Sequence, residues 1–143
     1  MARRSSTAYL EHLSKVPLFT ACSNRDLQKI AKASDEVTIE AGRVLVEQGG
    51  IGRECFVIID GTATVKRNNR KITTLGTGDY FGELALLDGG PRTASVVAET
   101  DMTVLVLGQR EFHGLLDEVP GLSHKVLSTM AKRIRELDQK VYA

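Results

Sequence analysis

Short runs of β-branched and apolar residues follow one another between positions 36 and 107, and each run stops at a Gly, Asp or Asn. In the first run, Val37 and Ile39 alternate with polar neighbours, which is the two-residue period of a half-buried strand. Further along, Asn68 and Asn69 separate two such runs, and both tolerate the left-handed backbone of a tight hairpin turn. Many short antiparallel strands predict a closed barrel or a jelly roll. The core, residues 35–108, is therefore predicted to be β.

A helical arm is predicted ahead of the β region, over residues 1–34. Its apolar residues follow a helical spacing that Pro17 interrupts, and Ser23 or Asn24 can cap the helix that comes next. A chain of 143 residues fits one domain with a sizeable core. We therefore predict a single domain over residues 1–143, mainly β with flanking helices.

The chain returns to a helical period after the β region, over residues 109–143. One helix is predicted at 109–117, and a longer one begins at Pro120, a favourable first helical residue. The longer helix carries an apolar stripe at spacings of four and three, made of Leu122, Val126, Met130, Ile134, Leu137 and Val141. The barrel, the same helix of a second copy, or both must cover this stripe. A homodimer through helix 120–143 is therefore one expectation.

Charge and composition argue against several classes of function. The formal net charge is +1 and the cations are interleaved with acidic residues, so nothing indicates a nucleic-acid surface. Cys22 and Cys55 lack metal-site spacing and are too few for a disulfide scaffold, so reduced thiols are expected. No apolar run approaches membrane-spanning length and no signal peptide is visible, so a cytoplasmic protein is predicted.

Patterns typical of enzymes and metal sites are not visible in the sequence. His12, His113 and His124 all fall in helical segments far apart along the chain, so they predict no ligand cluster. No Ser/His/Asp or Cys/His arrangement has a supporting context. We therefore predict no enzymatic activity, no catalytic residue, no metal and no cofactor.

The stretch from Gly78 to Val97 concentrates groups that suit a phosphate. Arg92 supplies a permanently charged donor fork, and the Gly-Gly-Pro corner before it turns the guanidinium toward the preceding segment. Gly82 lets the backbone approach a ligand closely. The amides of Leu84 and Ala85 open a one-turn helix and are expected to point outward as unsatisfied donors.

Two further polar residues lie in the same stretch. Glu83 cannot bind a phosphate directly because like charges repel, so we expect it to accept hydrogen bonds from neighbouring sugar hydroxyls and to orient Arg92. Thr93 adds a hydroxyl at the same corner. For Glu83 or Arg92 alone, a surface ion pair beside a Gly-Pro turn is the simpler interpretation. The combined spacing favours a site for a phosphate attached to a molecule with hydroxyl groups.

Two segments of this stretch, Phe81-Gly-Glu-Leu-Ala-Leu-Leu and Pro91-Arg-Thr-Ala-Ser-Val, resemble the phosphate-binding cassette of cyclic-nucleotide-binding domains. Such domains occur in regulatory subunits of cAMP-dependent protein kinase, in cyclic-nucleotide-gated channels and in the bacterial catabolite activator protein. The resemblance covers nearly the whole chain. It implies an eight-stranded antiparallel jelly-roll barrel with two closing helices and with the cassette, residues 81–94, between the sixth and seventh strands. Gly52-Arg53, where the family commonly has Gly-Asp, departs from the pattern away from the phosphate.

The resemblance also implies which residues bind the ligand: Gly82, Glu83, Leu84, Ala85, Arg92, Thr93 and Ala94. Glu83 is similar to the acceptor of the ribose 2′-hydroxyl, and Arg92 is similar to the phosphate partner. The glycine and the amides of Leu84 and Ala85 resemble the backbone contacts to the phosphate, and the last two residues resemble the pocket wall. The implied protein is a non-catalytic cAMP sensor, with cGMP as the other ligand, that relays binding through its C-terminal helix.

The last helix is the expected cover for the base of the ligand. The candidates are Leu137, Asp138, Val141 and Tyr142, together with Ile134. Tyr142 could stack on a purine ring. For each apolar candidate, simple docking on the barrel is an equally good interpretation.

Other classes of protein stay open on the sequence alone. A jelly-roll interaction domain could keep the fold and lose the ligand, although Gly82, Glu83 and Arg92 are all present. A cupin-like metalloenzyme has a similar barrel but needs clustered His and Glu ligands. A transcription regulator needs a helix-turn-helix, and no DNA-binding domain is expected in a chain that ends at Ala143.

Overall fold

Eight antiparallel strands form the centre of the computed structural model, which describes the backbone of residues 6–142 and the side chains of residues 9–139. The strands are β1 (Asp35–Ile39), β2 (Val44–Val46), β3 (Glu54–Asp60), β4 (Ala63–Arg67), β5 (Arg70–Leu75), β6 (Tyr80–Phe81), β7 (Ser95–Ala98) and β8 (Met102–Gly108). They make two sheets, ordered β1-β8-β3-β6 and β2-β7-β4-β5. The predicted eight-stranded antiparallel jelly roll is confirmed, but as two separate sheets rather than one closed barrel.

Alternation along β3 divides its side chains between two apolar clusters. Cys55, Val57 and Ile59 belong to a cluster that they share with the helices. Phe56 and Ile58 belong to a second cluster, which they share with residues of the other sheet. Because the helices pack on one face of β3 and the second sheet packs on the other, both faces are covered, and this explains its continuous apolar run.

Five helices accompany the sheets within the described residues. They are α1 (Ser6–Leu13), α2 (Asn24–Ala33), α3 (Ala85–Asp88), α4 (Gln109–Glu118) and α5 (Leu122–Tyr142), with a 3-10 turn at Pro17–Phe19. Ser23 caps α2 as predicted, because its hydroxyl accepts a hydrogen bond of 3.1 Å from the amide of Asp26. The rings of Phe19 and Phe112 are 5.9 Å apart and join the N-terminal arm to α4.

The hairpin between β4 and β5 turns at Asn68 and Asn69, as predicted. Their φ angles are 52° and 63°, in the left-handed region that a tight hairpin turn requires. The side chain of Gln48 secures this turn from the loop before β3: its Nε2 donates to Oδ1 of Asn68 at 3.0 Å, and its Oε1 accepts from the Asn68 amide at 2.8 Å. The hairpin is therefore fixed to the loop between β2 and β3.

The last helix differs from its prediction in two ways. It begins at Leu122 and not at Pro120, because Gly121 has a φ of 81°, outside the right-handed helical region. The apolar stripe is also only partly covered by the domain: Leu122 is buried, whereas Ile134 is 66% exposed and Leu137 is 62% exposed. The domain thus covers the first half of the stripe and not the second.

Candidate functional site

A cavity of about 450 Å³ opens between the cassette and the inner face of the second sheet. All seven residues that were predicted to bind the ligand line it, namely Gly82, Glu83, Leu84, Ala85, Arg92, Thr93 and Ala94. Its apolar wall comes from Val46, Val65, Phe81 and Val96. The cavity has the size of a small-molecule site, and it combines an apolar wall with a few charged and polar side chains.

Arg92 is half-buried at the inner end of this cavity. A Cβ atom on Gly82 would lie 2.4 Å from Nη1 of Arg92, and one on Gly52 would lie 3.1 Å from its Nε, so both glycines leave the room that the guanidinium fills. Its Cζ is 5.8 Å from the centre of the Phe56 ring. Within the described residues, no carboxylate lies within 4 Å of this guanidinium. Burial lowers the pKa of Arg92, yet an arginine stays charged near neutral pH.

The backbone of Arg92 is fixed by the loop between β2 and β3. The Arg92 amide donates to the Gly50 carbonyl at 2.7 Å, and the Gly49 amide donates to the Arg92 carbonyl at 2.8 Å. One residue of the same loop, Ile51, forms a β-bridge with Pro91. The Gly-Gly-Pro corner therefore rests against a partner segment that holds the arginine in place.

The short helix α3 lies on the opposite side of the cavity. Leu84 precedes it, and the amide of Ala85 donates to the carbonyl of Gly82 at 3.2 Å. The expectation that the Ala85 amide is unsatisfied is therefore wrong, because residues 82–85 close a tight turn. On its other side, α3 is tied to α4 by a contact of 3.0 Å between Nε2 of His113 and the carbonyl of Leu86.

Glu83 is buried, and its partner is a residue of α5. Nη1 of Arg133 donates to Oε1 of Glu83 at 2.9 Å, and the Glu83 side chain is only 10% exposed. The sequence interpretation in which Glu83 pairs with Arg92, or orients it, is therefore wrong. Two charged residues of the cassette therefore have separate surroundings: Arg92 lines the cavity without a carboxylate partner among the described residues, and Glu83 links the cavity to the C-terminal helix.

The proposed cover for the base is not assembled at this cavity. Leu137 and Asp138 are exposed and do not line it, and Ile134 is exposed as well. The side chains of Val141 and Tyr142 lie outside the described residues.

Arg133 and Arg67 contribute to the site without having been predicted from the sequence. Arg133 lies on the last helix, where only the apolar residues form a recognisable pattern. The sequence therefore gives no sign that the Arg133 side chain points toward the cassette. Arg67 follows Val65 by two positions on β4 and therefore lies on the same face of the strand, which was a signal available in the sequence.

Neither a membrane-spanning helix nor a metal site is found among the described residues. Between residues 6 and 142, no helix is both long and apolar enough to cross a membrane. In the same range, no group of three or more His, Cys, Asp or Glu residues is placed to hold a metal ion. Cys22 and Cys55 are unpaired, as predicted, and burial raises the pKa of the Cys22 thiol to about 11.

A jelly roll with a guanidinium and a carboxylate in one cavity is typical of a domain that binds a small polar molecule. The sequence matches the family model of the cyclic nucleotide-binding domain over residues 36–119. The chain therefore belongs to the cyclic nucleotide-binding domain family.

Curated relatives agree with this family. The chain is 37% identical over 116 residues to a cAMP-dependent protein kinase regulatory subunit of Schizosaccharomyces pombe, an alignment that covers 80% of this chain and 28% of that protein. It is 32% identical over 121 residues to a cyclic nucleotide-gated potassium channel of Rhizobium etli, covering 85% of this chain and 34% of the channel. The chain thus spans about a third or less of the length of these relatives.

Solved structures show the same fold. The N-terminal domain of a transcriptional regulator from Streptomyces coelicolor superposes with a TM-score of 0.84 at 28% identity, covering 90% of this chain and 95% of that one. The catabolite activator protein of Thermus thermophilus superposes with a TM-score of 0.70 at 28% identity, covering 87% of this chain and 61% of that one. The predicted resemblance to this family is confirmed.

Proposed function

We propose that this domain is a non-catalytic cAMP sensor of the cytoplasm. The observation that supports it is the half-buried Arg92, which has no carboxylate within 4 Å among the described residues and lines a cavity of about 450 Å³. A buried cation without a partner is costly, whereas a cyclic phosphate would supply the one negative charge it lacks. The names of several similar proteins, the regulatory subunits of cAMP-dependent protein kinase, favour cAMP as the ligand.

Each of the seven predicted ligand-binding residues has a role in this proposal. Arg92 pairs with the phosphate, beside the backbone of Gly82, Leu84 and Ala85. Glu83 accepts hydrogen bonds from the ribose. Thr93 and Ala94 form the wall next to the phosphate.

The relay to the C-terminal helix starts at Glu83. This carboxylate accepts a hydrogen bond from Arg133, so a ribose hydroxyl that binds Glu83 must share or displace that contact. Closer to its start, α5 is held by an ion pair of 2.6 Å between Lys125 and Asp26. Ligand binding would therefore act on the half of α5 beyond the Lys125 anchor, and a shift of this half would bring Leu137, Asp138, Val141 and Tyr142 over the base.

The same half of α5 carries the surface for the proposed homodimer. Four apolar residues lie along one face of this half at alternating spacings of three and four, namely Leu127, Met130, Ile134 and Leu137. Leu127 is 69% exposed and Ile134 is 66% exposed. An apolar seam with these spacings is the pattern of a two-stranded coiled coil.

Calorimetric titration with cAMP tests the ligand site. Wild type is expected to bind, and Arg92→Ala to bind about 100-fold more weakly, because a charge-assisted hydrogen bond contributes up to about 3 kcal/mol. Arg70→Ala is the matched control, since it removes the same charge from an exposed residue that does not line the cavity. The proposal fails if wild type does not bind, or if Arg92→Ala binds as tightly as wild type while its circular dichroism is unchanged.

A further inference from the structure

The hairpin of β4 and β5 has a one-sided charge distribution. Residues 61–78, which include both strands, contain no Asp or Glu. The cations of the hairpin lie at its tip, residues 66–71, and are Lys66, Arg67, Arg70 and Lys71. All of them are exposed, and none has a carboxylate within 4 Å among the described residues.

The two sheets differ in charge for the same reason. The strands of the second sheet carry the cations of the hairpin tip and no acidic residue. The strands of the first sheet carry no Lys or Arg, and their acidic residues are Asp35, Glu36, Glu54 and Asp60. Positive charge is therefore concentrated at one hairpin, although the formal net charge of the chain is only +1.

The cations of the tip face each other across the hairpin. Lys66 is paired with Lys71, and Arg67 is paired with Arg70. Like charges directly opposite each other on paired strands destabilise a sheet. No carboxylate of the described residues is close enough to offset this repulsion. An arrangement that costs stability without compensation inside the fold indicates a function, and an anionic partner would offset the repulsion.

The tip is also held in place before a partner binds. Gln48 makes paired hydrogen bonds with Asn68 in the turn, and Nε of Arg67 donates to the carbonyl of Thr93 at 3.0 Å. Little backbone entropy is therefore lost when the tip meets a partner.

The free edge of β5 is not suited to a strand of a partner protein. Thr73 is opposite Val65 and Lys71 is opposite Lys66, so Ile72 is an extra residue that forms a bulge. A bulge and charged side chains on an edge strand disfavour pairing with another strand. A partner therefore meets the side chains of the tip and not the backbone of β5.

The placement of the cations favours a broad surface as the partner. Neighbouring cross-strand pairs lie on opposite faces of a hairpin, so the two lysines are on one face and the two arginines on the other. A partner that lies against one face would meet only one pair. A surface that touches the end of the hairpin is within reach of both, because the pairs are about 3.4 Å apart along the strands and the Debye length is about 8 Å at physiological salt.

We propose that the tip of the β4–β5 hairpin docks on the anionic surface of a membrane, where its cations meet the phosphate and carboxylate groups of phosphatidylserine. Each Lys or Arg near such a surface strengthens binding about fivefold. The cations of the tip therefore give a reversible and salt-sensitive association with the surface. This inference goes beyond the proposed function and does not depend on it, because Arg92 takes no part in the contact.

Co-sedimentation of the full chain with vesicles tests this inference. The vesicles are made of equal parts phosphatidylserine and phosphatidylcholine, or of phosphatidylcholine alone. Wild type is expected to bind the first kind and not the second. Arg70→Gln/Lys71→Gln should bind about 25-fold more weakly, because it removes two cations from the tip. Arg25→Gln/Lys29→Gln removes the same charge from exposed positions of α2 and should bind like wild type.

Stability and nucleotide binding of the hairpin variant are measured alongside. Since the like-charged pairs cost stability, Arg70→Gln/Lys71→Gln should have an unfolding midpoint at or above that of wild type. Its affinity for cAMP should equal that of wild type, because neither residue lines the cavity. A weaker association with vesicles then reflects the lost charges and not a damaged fold.

Several results would overturn the inference. Wild type that does not bind the phosphatidylserine vesicles, or a hairpin variant that binds them as tightly as wild type, would exclude the tip as a docking surface. An equal loss in Arg25→Gln/Lys29→Gln would make net charge the cause. Tighter binding of wild type to duplex DNA than to vesicles, with the same loss in the hairpin variant, would identify a nucleic acid as the partner instead. The cAMP titration of wild type and Arg92→Ala is independent of these results, so a failure of the membrane contact leaves the proposed function standing.

Discussion

Arg133 of α5 donates a hydrogen bond of 2.9 Å to the buried carboxylate of Glu83 in the cassette. This contact joins residues that are 50 positions apart in the sequence. It connects the cavity with the C-terminal helix. A ligand that engages Glu83 therefore acts on α5 through one atom-to-atom contact.

Removing Arg133 should destabilise the free domain more than the domain with cAMP bound. Arg133→Gln leaves the buried carboxylate of Glu83 without its ionic partner. Because the pair is partly exposed, the free energy of unfolding should fall by about 1 kcal/mol, which lowers the unfolding midpoint by roughly 3 °C. Ribose hydroxyls would supply replacement donors, so saturating cAMP should shrink the difference from wild type. Thermal unfolding with and without cAMP measures both effects. Arg135→Gln, an exposed position on the same helix, is the control, and an equal loss in the two conditions would contradict the relay.

Gly82→Ala should abolish cAMP binding as well as lower stability. Gly82 has a φ of 81°, and an added Cβ would lie 2.4 Å from Nη1 of Arg92 and 2.7 Å from the Glu54 carbonyl oxygen. The left-handed backbone alone costs roughly 1–2 kcal/mol for a residue with a Cβ. Gly42→Ala is the control, because Gly42 has a φ of 88° and nothing within 4 Å of the added atom. Chemical unfolding and calorimetry should show a modest loss of stability with normal binding for Gly42→Ala, and loss of both for Gly82→Ala.

The strands and the cassette could be predicted because their signals are local. Val37 and Ile39 show the period of a strand within five residues, and Asn68 with Asn69 can only be placed in a few turn types. The spacing from Gly82 to Arg92 likewise lies within one short segment. For these strands, this turn and the cassette, the structure agrees with the local patterns.

Two of the errors concern groups whose surroundings are distant in the sequence. Glu83 was assigned to Arg92, its nearest cation in the cassette, whereas the fold brings Arg133 to it. The stripe on α5 correctly predicted a helix. Its periodicity cannot show how much of the stripe the rest of the domain covers, and Ile134 and Leu137 lie beyond the covered part. The start of α5 at Pro120 was wrong because Gly121 takes a left-handed backbone. Long-range packing decides the first two of these features, and the backbone of one neighbouring residue decides the third.

The ion pair between Asp26 and Lys125 should make stability depend on pH at both extremes. The hydrogen bond from Lys125 lowers the pKa of Asp26 in the folded state, so the unfolded chain binds the proton more readily. The stability from Asp26 is therefore present above its unfolded pKa of 3.8 and lost as pH falls through the lower folded pKa. The same hydrogen bond raises the pKa of Lys125, whose contribution is present below its unfolded pKa and lost as pH rises through the higher folded value.

Asp26→Asn removes the titrating carboxyl group of this pair and keeps the helix cap, because asparagine can still accept the hydrogen bond from the Ser23 amide. Urea unfolding between pH 2 and 7 should show a flatter acid limb for Asp26→Asn than for wild type. Asp117→Asn, an exposed position on α4, serves as the control and should follow wild type. Parallel acid limbs for wild type and Asp26→Asn would show that the ion pair does not determine the stability in this range.

Charges introduced on the exposed seam of α5 should prevent dimerisation without unfolding the domain. Ile134 and Leu137 are mostly exposed, so the folded monomer does not depend on them, whereas a coiled-coil partner would bury both. The double variant Ile134→Asp/Leu137→Asp is expected to sediment as a monomer at concentrations where wild type forms a dimer. At low protein concentration, where wild type is also monomeric, the two proteins should have nearly the same unfolding midpoint. Ser128→Asp/Gln139→Asp adds the same charge to exposed positions away from the seam and should remain dimeric. Sedimentation velocity across a concentration series, with and without cAMP, measures the oligomeric state. Wild type that stays monomeric at every concentration would show that the domain does not dimerise. A double variant that still dimerises would show that the dimer forms through another surface.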